Sequence, residues 1–164
     1  MRRSVLLLAV LIAAGCGGSK AAPPTTTAAA TPSDPATAVG GHTIYQGGAW
    51  AVVTKGATAV ALHLVGGAWQ PDRTGRVKVE LLGPHGVQPP TTQIAAQLIA
   101  PTPLVESGLW VDGVELLEKG GGLAPTRGTI YGATNGLAPG LHVVVAYART
   151  ATTGTAVARS FRVR

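Results

Sequence analysis

Apolar and polar positions divide this chain into three regimes. Residues 5–14 form one unbroken apolar run behind Arg2 and Arg3. Residues 17–41 hold almost no large apolar side chain; apart from Lys20, Asp34 and Val39 they are Gly, Ser, Ala, Thr and Pro, including Pro23-Pro24-Thr25-Thr26-Thr27 and Thr31-Pro32-Ser33-Asp34-Pro35. From His42 onward apolar side chains recur in short runs without a helical period, separated by Gly, Pro, Asn and Asp. Residues 58–65 and 77–82 alternate or are rich in β-formers, and residues 141–148 are apolar on both faces. Lys55-Gly56, Asp112-Gly113, Asn135-Gly136 and Pro139-Gly140 punctuate these runs with turn chemistry. The pattern predicts an all-β antiparallel sandwich of about 120 residues, long enough to bury a core of its own.

The three regimes differ in what they can do. A positive end, a short apolar middle and small residues are the features of a secretory signal. At about 1.5 Å per residue the run spans only roughly 15 Å, too little for a permanent membrane helix. The middle regime cannot bury enough surface to offset the entropy of ordering, so residues 16–41 are expected to form a disordered Thr/Pro/Ala-rich tether. Within the third regime, Gly47-Gly48-Ala49-Trp50 returns as Gly66-Gly67-Ala68-Trp69. Two copies are too few for a solenoid and are read as equivalent corners of a leading β-hairpin region, residues 42–76, in which 50–54 pairs with 58–65. Trp50 and Trp69 then cap the core; the alternative is an exposed aromatic pair that grips a sugar or a partner.

Ala13-Ala14-Gly15-Cys16, placed directly after the apolar run, resembles the lipobox of bacterial lipoproteins, although Ala13 stands where that family most often has Leu. The resemblance implies cleavage after residue 15, a diacylglyceryl group on the Cys16 thiol, and anchorage on the extracytoplasmic face of the cell membrane. Two acyl chains hold firmly where one does not. Cys16 is the single cysteine of 164 residues, so on this reading the body contains no disulfide.

A second resemblance begins at Val77-Lys78-Val79-Glu80-Leu81-Leu82-Gly83-Pro84 and covers residues 77–164. With residues 93–99, then Ser107-Gly108-Leu109-Trp110-Val111-Asp112-Gly113, residues 114–117 and 128–134, Leu137-Ala138-Pro139-Gly140-Leu141-His142-Val143-Val144-Val145-Ala146, and residues 156–163, it is similar to bacterial immunoglobulin-like domains. The resemblance implies an immunoglobulin-like sandwich preceded by the extra N-terminal hairpin. It does not extend to a calcium site, because Ala148-Arg149-Thr150 follows Tyr147 where family members often carry an Asp. In Leu109-Trp110-Val111 a period of two sets Trp110 on the face opposite its neighbours. Trp110 is then either an exposed contact residue or covered by the N-terminal hairpin.

Charge and chemistry narrow the function classes. The chain has 13 Lys and Arg against 7 Asp and Glu; loss of Arg2 and Arg3 with the signal leaves a formal charge near +4. The local excess at Arg149, Arg159, Arg162 and Arg164 is not interleaved with stacking aromatics, so no nucleic acid is expected as partner. It is read as a solvated strand end, with contact to an anionic membrane or wall polymer as the alternative. His42, His63, His85 and His142 are not at metal-ligand spacing, Met1 is the only methionine, and no nucleophile elbow or phosphate loop occurs. His142 is read as a packed strand-entry residue. Glu106, Asp112, Glu115 and Glu118 raise a carboxylate pair or metal site, but are read as solvated hairpin charges. No cofactor is expected. The sequence therefore points to a membrane-anchored, non-catalytic lipoprotein whose sandwich binds or spaces, with Trp110, Trp50 and Trp69 as the candidate contact surface and an envelope protein or cell-wall glycan as partner. The alternative is an accessory or carbohydrate-binding subunit of an envelope enzyme.

Overall fold

The computed structural model describes residues 32–116 and 126–164. The signal, Cys16 and most of the tether lie outside them, as does Glu118. The expected tether nevertheless ends in ordered structure. Helix α1, Pro35–Val39, is started by Asp34, whose carboxylate accepts the Ala36 amide at 2.9 Å, and by Pro35 in its first turn. Gly40, at φ 64°, stops it in the left-handed conformation. Pro35 of this short helix is buried, and Val39 packs against Ala51, Val53, Leu62 and Trp69.

The region expected as one hairpin is a four-stranded antiparallel meander: β1 (His42–Gly47), β2 (Trp50–Lys55), β3 (Thr58–Val65) and β4 (Ala68–Pro71). The predicted pairing of β2 with β3 is present, Trp50 opposite His63 and Lys55 opposite Thr58. Both copies of Gly-Gly-Ala-Trp are hairpin corners at the same end of this sheet, with Gly48, Gly66 and Gly67 at positive φ. The short outer strands β1 and β4 extend the hairpin because each corner returns the chain antiparallel to its neighbour.

The remaining strands form the immunoglobulin-like sandwich. One sheet has the order β10 (Arg127–Ala133), β7 (Gln93–Ile99), β5 (Lys78–Gly83). The other has the order β6 (Val87–Gln88), β12 (Gly154–Val163), β11 (Gly140–Arg149), β8 (Glu106–Val111), β9 (Val114–Glu115). All pairings are antiparallel except the two-residue β6, which runs parallel to the end of β12. Asp112 (φ 50°) and Gly113 (φ 81°) make the β8–β9 corner, where both central residues take positive φ as a type I′ turn requires.

The three sheets stack as three layers with the five-stranded sheet in the middle. Between it and the three-stranded sheet lie Ile94, Leu98, Leu109, Val144, Phe161 and their neighbours. On its other face Trp110, Val145 and Tyr147 pack against Tyr45, Val52 and Ala61 of the N-terminal sheet. Here Ala59 and Ala61 of β3 meet Ala156 and Ala158 of β12, and small side chains let the two strands approach closely. A third cluster of Ala51, Val53, Leu62 and Trp69 lies on the far side of the N-terminal sheet beneath Val39.

Candidate functional site

The sequence offered Trp110, Trp50 and Trp69 as a contact surface, and the structure places all three in the interior at 2, 3 and 6% exposure. The period of two did set Trp110 apart from Leu109 and Val111; the face it occupies is covered by the N-terminal sheet. The outer edge of its ring lies at Gly108, two residues back on the same strand, where a Cβ would overlap it. The hydroxyl end of Tyr45 likewise occupies the space where a Cβ of Gly47 would stand. Trp50 lies against Gly154, where an added Cβ would come within 2.9 Å of the ring. Trp69 faces the opposite side of its sheet and donates its indole N–H to the Ser33 carbonyl at 2.6 Å. The two repeat copies are thus equivalent as corners but not as faces, and none of the three tryptophans can stack on a sugar.

The covered aromatic layer ends in a polar knot. Glu106 and Arg149 are directly opposed on β8 and β11, and Arg149 Nε donates to Glu106 Oε2 at 2.6 Å. The Tyr45 hydroxyl reaches across from β1 and donates to Glu106 Oε1. Glu106 is buried, with its side chain 9% exposed, so it is not the solvated hairpin charge expected from sequence. The Arg149 guanidinium lies 5.9 Å from the centroid of Trp50, whose other partner is His63, stacked at 4.3 Å and 6°. Nearby, Asp72 accepts the Gly154 amide at 2.6 Å and the Thr74 amide at 2.9 Å. Burial, followed by the hydrogen bond to Glu106, pushes the Tyr45 phenol above its ordinary range. Burial raises Tyr147 too, and its hydroxyl has no hydrogen-bond partner among the described residues. These groups neutralise and orient one another, an arrangement suited to holding two sheets in register.

A second pair sits at the other end of the middle sheet. His142 Nδ1 faces Asp112 Oδ2 at 2.6 Å, and Nε2 faces the Ala138 carbonyl at 2.8 Å. Both ring nitrogens therefore meet acceptors, which favours the imidazolium. The Asp112 bond, then the Ala138 bond, raise the His142 pKa above its usual value. Asp112 also accepts the Val143 amide at 2.9 Å, so the pair ties the β8–β9 corner to β11. His142 is buried and packs against Phe161, the strand-entry role expected for it.

Two clefts of about 300 and 320 Å³ flank this corner. The first lies beside His42, Ile44, Asp112 and Val143, the second beside Val114, Leu116, Thr134 and Leu137. Among the described residues no group of three or more His, Asp or Glu is placed to hold a metal ion. Glu115 is exposed on β9 opposite Trp110, and its charge reaches Tyr45 of the knot as the smallest of the causes that raise that phenol. Of the C-terminal arginines, Arg149 belongs to the knot, while Arg159 contacts the His85 ring at 3.2 Å. What sequence reasoning missed was the coupling of Glu106, Arg149 and Tyr45. Residue type alone carried no signal for it, because the pairing depends on the β8–β11 register and on which sheet covers it.

No protein-family model matches this chain, and no curated protein matches it. Among solved structures, the neutron crystallographic structure of a lytic polysaccharide monooxygenase from Jonesia denitrificans aligns at 18% identity over 51% of this chain and 60% of that one, with a TM-score of 0.36. The CARDB domain of a Pyrococcus furiosus protein, solved in complex with di-metal ions, aligns at 10% identity over 54% of this chain and 94% of that one, with a TM-score of 0.36. The alignment thus spans less than two thirds of the monooxygenase chain.

Proposed function

We propose that this chain is an extracytoplasmic lipoprotein, held at the cell membrane by acyl chains on Cys16, whose three-layer β-body acts as a non-catalytic binding or spacer module. The observation that carries the reading is the place of the only cysteine, behind two small residues and Gly at the end of a short apolar run with an Arg-Arg start. Pro32, the first described residue, follows Cys16 by sixteen positions, so covalent geometry allows the body to stand up to ~55 Å from the anchor. The non-catalytic part rests on how one buried carboxylate, Glu106, and two more accessible ones, Asp72 and Asp112, are used. Glu106 is engaged by Tyr45 and Arg149, Asp72 by backbone amides, and Asp112 by His142 and a backbone amide, which leaves these carboxylates committed to holding strands.

The test is to express the full chain and its Cys16→Ser variant in a bacterium fed an alkyne-bearing fatty acid. Wild type is expected to take up label and sediment with membranes, and the variant to be unlabelled and released. An unlabelled wild-type chain, or a variant that stays lipid-labelled, would overturn the reading.

A further inference from the structure

Among the described residues no other layer covers the outer face of the three-stranded sheet. The registers of β5, β7 and β10 fix its side chains row by row. Lys78, Ile99 and Arg127 form the first row; Glu80, Gln97 and Thr129 form the second; Ala95 and Tyr131 lie in the third, with exposed Leu82 at the β5 bulge beside them and Gln93 and Ala133 beyond. The alternate residues Ile94, Ala96, Leu98 and Ile130 point into the core. Tyr131 is 56% exposed because its strand neighbour on this face is Ala133 and its cross-strand neighbour is Ala95, neither tall enough to cover a phenol ring. Among the described residues, the side chains of Lys78, Glu80, Gln93, Gln97, Arg127 and Tyr131 make no hydrogen bond or ion pair to one another or to any other residue.

From this face we infer that the body binds an acidic polysaccharide, laid along β10 and β7 with one sugar ring on Tyr131 and a carboxylate at Lys78 and Arg127. Three features select that occupant. The backbone groups of the central strand β7 are spent on both neighbours, so a ligand lying across the face itself is recognised through side chains and not through the edge pairing a peptide strand would use at β5 or β10. The amides of Gln93 and Gln97 and the Thr129 hydroxyl both donate and accept, as hydroxyl-rich rings require. The apolar part of the face is confined to one end, where exposed Leu82 and Tyr131 flank Ala95, and polar rows separate it from Ile99, so it does not form the central apolar patch that a protein interface buries. Charge supplies the preference for an acidic chain. Lys78 and Arg127 share one row, two strand spacings or about 10 Å apart, with Glu80 alone opposing them. Arg127 and Tyr131 are four residues apart on one strand, about 13 Å, so platform and cations can be reached together only by a ligand several rings long.

The inference rests on the binding-module reading but is tested separately from the anchor. The full chain carrying Cys16→Ser is run in native gels containing polyglucuronate or, in parallel, neutral dextran. Retardation is expected in polyglucuronate, at least tenfold weakened by Tyr131→Ala and lost in the double variant Lys78→Ala, Arg127→Ala. Leu141→Ala, whose side chain is exposed elsewhere, is expected to behave as the parent. All variants alter exposed side chains, and matched melting temperatures confirm their fold. No retardation, or retardation that Tyr131→Ala leaves intact because any cationic surface suffices, overturns the inference. A failed gel assay beside normal lipid labelling would reject the glycan face and leave the tethered spacer standing.

Discussion

Replacing Arg149 by Leu is the most direct probe of how the N-terminal layer is fastened to the sandwich. The variant removes the donor to Glu106 Oε2 and leaves a carboxylate, 9% exposed, to which the Tyr45 hydroxyl still donates. Breaking a buried ion pair from one side costs about 3–5 kcal/mol, because the remaining charge stays desolvated. Arg149 is itself 22% exposed, so water can reach the vacated position, and the low end, about 3 kcal/mol, is the better figure. Loss of the cation–π contact with Trp50 adds about 0.5–1 kcal/mol. For a body of this size, an unfolding entropy of about 2.1 cal/mol/K per residue turns that loss into a fall in Tm of roughly 10–15 °C. Urea titration followed by tryptophan fluorescence gives the free energy directly, and an unchanged slope would confirm that only stability has moved. The double variant Glu106→Leu, Arg149→Leu removes both charges and is expected to recover most of the loss, since apolar replacement of a buried pair is often near neutral. A cost below about 0.5 kcal/mol for Arg149→Leu would show the pair behaving as an exposed one, and a double variant as weak as the single would show that the loss is one of packing. Either result refutes the argument from the buried carboxylate.

Two further outcomes follow from the same layer and its far corner. Gly108→Ala puts a methyl group into the Trp110 ring and is expected to cost about 1–3 kcal/mol by overpacking, read as a lower urea midpoint; a midpoint equal to the parent's would mean that the Trp110 ring does not occupy the space over Gly108. His142 has a raised folded pKa, so its contribution is complete below the unfolded value of about 6.5 and is lost as pH rises through the folded value. The urea midpoint should therefore fall between pH 6 and pH 8, and His142→Gln should flatten that dependence; an equally steep profile in the variant would assign the effect to another group.

Much of this architecture is local and was legible along the chain. Alternation in β3 and β5, the Asp112-Gly113 corner and the two Gly-Gly-Ala-Trp corners follow from the period of a strand and from which residues tolerate positive φ. These are properties of a few consecutive residues, so no knowledge of distant partners is needed. The same period separated Trp110 from Leu109 and Val111. It could not say whether that second face meets water or another sheet, because the answer lies in β1 to β3, some fifty residues earlier. Tertiary structure alone turned three candidate contact tryptophans into core, carried the last turn of the expected tether into helix α1, and joined Glu106, Arg149 and Tyr45 from three strands. Covering a face is a decision between layers, and a sheet's own sequence carries only the pattern that makes such covering favourable.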